Sequence, residues 1–194
     1  MIRFILSFLV LHSFCTFAAG QGMSKTQWYS ETTSNGITIQ NSLPRGGAYT
    51  GPTKKHFNYS RLVFFNRVVN KTTAPLELTM NFSADSISIP ASPDTFVKLF
   101  LPTDRMTLDK QTVFNYGVRD LESLDKPTMF KRTIKPGEEC LFYVVGIFYQ
   151  TKASAQNQQR GGNRAELILK GQKLFYRMPP QIEALPCGQI TVKK

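Results

Sequence analysis

Histidine is nearly missing from this chain: its 194 residues include two, His12 and His56. A Ser-His-Asp or Cys-His relay needs an imidazole to carry the proton, so His56 alone would have to serve any such site beyond the N-terminus. It lies in Lys54-Lys55-His56-Phe57, where neighbouring ammonium groups disfavour the imidazolium and nothing positions the ring as a base. No Gly-x-Ser-x-Gly elbow is present. Cysteine is equally scarce, with Cys15, Cys140 and Cys187 only, so CxxC redox chemistry and the three or four ligands of a zinc site are both excluded. Acids are short as well: 13 Asp and Glu stand against 24 Lys and Arg, a net charge of +11. Past the first twenty residues, no apolar run approaches the roughly 20 residues of a membrane-spanning helix.

What is there begins with a leader. Arg3 supplies a positive start, Phe4 to Leu11 an apolar stretch, and Ala18-Ala19-Gly20 the small residues a signal peptidase accommodates. Residues 1–20 therefore read as a signal peptide cleaved before Gln21. Phe14 stands where lipoprotein processing at Cys15 would need a small residue. The expected destination is secreted, or periplasmic and cell-envelope, with no transmembrane segment in the mature chain. In an oxidising compartment the two remaining thiols, Cys140 and Cys187, most simply form one disulfide, adding roughly 4 kcal/mol in the chain-entropy model. Two buried free thiols are the other reading.

The body of the chain alternates. Leu76, Leu78, Met80 and Phe82 are separated by Glu77, Thr79 and Asn81, the pattern of a strand with one buried and one wet face. Ile37 to Leu43, Arg61 to Val69, Phe96 to Leu101, Ala165 to Lys170, Lys173 to Tyr176 and Ile190 to Val192 read as further strands. Cys140 to Tyr149 is apolar on both faces, which predicts a central, doubly covered strand. Turn residues punctuate these runs, as at Asn70 to Pro75. The expected fold is all-β: one antiparallel two-sheet sandwich over 37–194, preceded by an extended lead-in over 21–36. A less regular insertion around 102–129 holds the one helix candidate, Asp109 to Leu124.

The basic charge concentrates in two loops. Gln150 to Arg164 carries Lys152, Arg160 and Arg164 without a balancing acid, and reads as the tip of a long hairpin. Lys54 and Lys55 lie in the other loop. These five residues are the expected anion-binding set, arginine forks and lysine point charges both suiting carboxylate, sulfate or phosphate. Gly46 to Lys54 reads as a flexible loop, since Pro52 spoils any phosphate-loop order. Asp104, Asp109, Asp120, Glu122 and Asp125 lack EF-hand spacing and read as a solvated acidic face. Glu138, Glu139 and Glu166 could supply a hydrolytic carboxylate pair if their strands were neighbours. Asn58, Asn70 and Asn81 open Asn-x-Ser/Thr sequons.

Two stretches carry a resemblance. Phe65-Asn66-Arg67-Val68-Val69-Asn70-Lys71-Thr72 with Pro75-Leu76-Glu77-Leu78, and Ile134-Lys135-Pro136-Gly137-Glu138, resemble the paired strands and the Pro-Gly-Glu turn of exported immunoglobulin-like domains, such as periplasmic pilus chaperones. The whole chain resembles uncharacterised secreted bacterial proteins, a resemblance that implies no activity. The leading expectation is a non-enzymatic binding or structural module with a basic surface, needing no cofactor or metal. Its expected partner is an anionic polymer or surface, with a protein partner as a further option. An exported carboxylate-based hydrolase acting on a polymer and a subunit of a cell-surface assembly stay open as alternatives.

Overall fold

The computed structural model describes residues 28–48, 57–90, 92–103, 106–108, 126–153, 164–179 and 182–193. The leader over 1–20 and the helix candidate at 109–124 lie outside them, as do Asp104, Asp109, Asp120, Glu122 and Asp125. The described residues form twelve strands and no α-helix. The first six are β1 (Trp28–Ser34), β2 (Ile37–Ser42), β3 (Arg45–Ala48), β4 (Phe57–Asn70), β5 (Leu76–Phe82) and β6 (Ile87–Ile89). The rest are β7 (Ser92–Phe100), β8 (Thr128–Ile134), β9 (Glu139–Gln150), β10 (Glu166–Lys170), β11 (Lys173–Met178) and β12 (Ile182–Val192).

All pairings are antiparallel. One sheet has seven strands in the order β1-β2-β4-β9-β7-β6, with β3 also paired to β4; the other has five, β10-β11-β12-β5-β8. The expected two-sheet sandwich is thus present. Its core interleaves the inward rows of both sheets: Leu76, Leu78 and Met80 of β5 are at most 2% exposed, and Phe64, Val68 and Val144 are fully buried. Tyr176 anchors the middle, its ring edge-to-face with Phe64 and Phe82 at 6.1 and 5.8 Å. Each such side chain contributes about 1.5–3 kcal/mol through removal from water.

Four expectations need correction. Residues 28–34, placed in a lead-in, form the edge strand β1. Asn35 and Gly36, both at positive φ (49° and 74°), make the tight turn that folds β1 onto β2. Gly46 and Gly47, placed in a flexible loop, lie in β3 beside Leu62 and Arg61. The 150–164 connection is no hairpin: β9 is already hydrogen-bonded on both edges, to β4 and β7, so the chain must leave its sheet to reach β10 in the other. Finally, Asn70 is fully buried and cannot accept a glycan. Its amide donates to the Ala74 and Ile134 carbonyls, and its oxygen accepts from Thr72 N and Oγ1.

The two sheets treat their outer faces differently, and this positions the site. On the seven-stranded sheet, Val63, Phe65, Tyr143, Val145 and Ile147 point away from the sandwich interior yet are buried, packed with Phe100, Met106, Trp28 and Tyr59. The two-sided apolar run of β9 is therefore covered on both faces, as its composition predicts. On the five-stranded sheet the outer face is wet. One flank of the sandwich is also closed: Asn41 on β2 hydrogen-bonds both backbone groups of Leu167 on β10, and Tyr29 OH donates to the Ala165 carbonyl at 2.9 Å.

Candidate functional site

The five residues of the expected anion-binding set fare unequally. Lys54, Lys55 and Arg160 lie outside the described residues, as does His56. Lys152 does have a balancing acid, Asp94 on β7, at 3.1 Å. Arg164 lies over the Tyr29 ring, 5.9 Å from its centroid. Phe57 and Gln150 are register partners, and Asn58 donates to the Gln150 side chain, so the chain enters β4 and leaves β9 at one end of the sandwich.

The expected Cys140–Cys187 disulfide is not formed; both are free thiols. Cys140 on β9 lies in the field of Arg132 on β8, whereas Cys187 on β12 neighbours Tyr176 on β11. Burial pushes the Cys140 thiol up to about 11, against a lowering by Arg132, and the Cys187 thiol up to about 12. Both are protonated at neutral pH and poor nucleophiles.

Nor do the carboxylates converge. Glu139 opens β9 and accepts from Arg67 Nε at 2.7 Å, while Glu166 opens β10 in the other sheet and is held by Arg177. Glu138 serves the turn before β9, accepting from the Lys135 amide at 3.1 Å. Among the described residues, no three His, Cys, Asp or Glu gather as a metal site, and no helix is long and apolar enough to cross a membrane.

The register reveals a grouping that the linear sequence hides. Directly opposed residues of antiparallel strands share a face. Across the five-stranded sheet, Lys131 on β8 opposes Thr79, Thr79 opposes Gln189, Gln189 opposes Lys173, and Lys173 opposes Lys170. Because Leu78 and Met80 point into the core, Thr79 and this entire row point outward. The five strands span about 19 Å at a spacing near 4.8 Å. The row below it holds Thr133, Glu77 and Thr191, and Lys193 donates from the strand end to Thr133 Oγ1 at 3.2 Å.

Electrostatics leave this face positive. Of its acids, Glu77 is paired with Lys131 at 2.8 Å and Glu166 with Arg177, while Glu183 at the start of β12 is exposed. Among the described residues, no carboxylate lies within ion-pair distance of Lys170, Lys173 or Lys193, all of them exposed. Phe175 is the one aromatic ring in the outward register, and Lys170 Nζ sits 5.6 Å from its centroid. Such a face supplies point-charge cations interleaved with hydroxyl and amide groups. Among the described residues it gathers no metal ligand set. In comparisons with family models, curated proteins and solved structures, the chain matches none of them.

Proposed function

We propose that the chain is an exported, non-enzymatic binding module of the immunoglobulin-like kind, whose wet sheet face engages an anionic polymer or surface. One observation carries the reading: Lys170 and Lys173 oppose each other on the open face with no carboxylate at ion-pair distance among the described residues, in the same cross-strand row as Lys131, whose charge is matched by Glu77. Clustered charge of one sign raises the local concentration of an oppositely charged partner and speeds its encounter. The carboxylate-hydrolase alternative needs a facing pair of acids, and Glu139 and Glu166 are held by arginines on separate sheets.

A second reading, a subunit of a surface assembly, is favoured by β8. This strand is the edge of its sheet, and Met129 on it is 71% exposed. An unpaired edge can accept an added strand.

Retention on heparin across a salt series tests the leading reading. Replacing Lys170 and Lys173 together with alanine should move elution to lower salt and reduce the log–log salt slope by roughly one to two. Unchanged elution of this double variant, with losses confined to variants of Lys152 and Arg164, would move binding to the opposite end of the sandwich.

A further inference from the structure

Resting on the anion-binding reading, we infer that the ligand of this face is a linear acidic polysaccharide lying across the strands, along the Lys131–Thr79–Gln189–Lys173–Lys170 row. Three features select this class. The row joins charge to neutral hydrogen-bonding groups: Thr79 and Gln189 stand between Lys131, itself paired with Glu77, and the adjacent Lys173 and Lys170. The rows on either side add Thr133, Thr191 and Asn81. A polymer with an acid group on some sugars and hydroxyls on all of them meets both kinds of partner along its length. The cations of the row without an acid partner among the described residues are Lys170 and Lys173, strongly hydrated point charges suited to carboxylate or sulfate without fixed geometry; Lys131 is paired with Glu77, and the fork of Arg177 is taken by Glu166.

Single-stranded nucleic acid fits less well. It is held by successive aromatic platforms on which bases stack, and this face has Phe175 alone, with the Lys170 ammonium over its ring.

The hydroxyl and amide groups separate this class from binding by charge alone. Thr79→Val and Gln189→Leu leave the net charge untouched and keep β-compatible side chains on an exposed surface. Binding of the intact protein and each variant would be measured against polygalacturonate as the carboxylated polymer, chondroitin sulfate as the sulfated one, and poly(dT), at matched ionic strength. Thermal unfolding would confirm that both variants are folded.

The expected result is tighter binding to at least one polysaccharide than to poly(dT). Each variant should lose roughly five-fold in polysaccharide affinity, the size of one net hydrogen bond, with the salt slope unchanged. The polymer that responds tells carboxylate from sulfate recognition. Equal or tighter binding of poly(dT), or variants indistinguishable from the parent, would overturn the polysaccharide assignment and leave anion binding intact. No binding to any of the three polymers would sink both.

Discussion

Alanine at position 188 is expected to unfold or grossly destabilise the domain, by about 4 kcal/mol or more. Gly188 opposes Met80 on β5 and Leu174 on β11, in the interior of the five-stranded sheet. A Cβ there would come within 2.9 Å of Met80 Cα and drive into the Thr79 carbonyl oxygen. The backbone φ of +153° adds to the cost for an L side chain. The obstacle is main chain on a strand paired along both edges, so it cannot swing aside as a flexible side chain would. Relief requires opening the β5–β12 ladder, which also holds Thr79 against Gln189. With an ordinary urea m-value, the midpoint should fall by about 2 M. Gly47→Ala is the control, because a Cβ at that position meets nothing within 4 Å; it should stay within about 0.5 kcal/mol of the parent. Equal stability of the two variants would contradict the close approach.

Asn41→Ala is expected to cost about 3–4 kcal/mol. The Asn41 side chain is 1% exposed and uses its full hydrogen-bonding inventory. Its amide donates to Ser30 Oγ at 3.1 Å and to the Leu167 carbonyl at 3.3 Å. Its oxygen accepts from Leu167 N at 2.9 Å and from Asn66 Nδ2 at 2.7 Å. Truncation strands several buried polar groups at once, a larger penalty than the bonds themselves are worth. Because Asn41 joins the β2 side of one sheet to the β10 edge of the other, the damage should be local in kind. Hydrogen exchange at the Leu167 amide should accelerate far more than at Leu174. A loss below about 1 kcal/mol, or unchanged Leu167 protection, would show that the flank is closed by other means.

Much of the fold was legible because burial follows alternation. The β5 pattern places Leu76, Leu78, Met80 and Phe82 inward and leaves Asn81 exposed, as its sequence predicts. The two-sided run of β9 is covered twice. Strand β1 was illegible by that rule, since Trp28–Ser34 has no apolar alternation and lies half-exposed on an edge. It is held by pairing with β2, helped by Gln40 donating to Glu31 and by the Thr33–Thr38 hydroxyl contact. The Asn35-Gly36 dipeptide was the available signal, the strongest short-range mark of a hairpin. Strand β8 escaped for a related reason, because an edge strand exposes most of its residues.

The site was less legible than the fold. Neighbouring charges such as Lys54 and Lys55 attract notice in a linear reading, whereas Lys131 and Lys170 are far apart along the chain. Only the registers of β8, β5, β12, β11 and β10 bring them into one row. The same gap between sequence and space applies to the cysteines: counting two thiols suggests a bridge, but Cys140 on β9 and Cys187 on β12 enter the core as separate free thiols. The missing acid partner of Lys152 was supplied by Asp94, from a strand far back in the chain.

The most direct test of the account is an amide chemical-shift map recorded while a short heparin oligosaccharide is added to the folded protein. The account predicts that the largest changes fall on Thr79, Lys131, Lys173 and Gln189, across four strands of one sheet. Changes confined to residues flanking Phe57 and Gln150, or no saturable change at all, would contradict it.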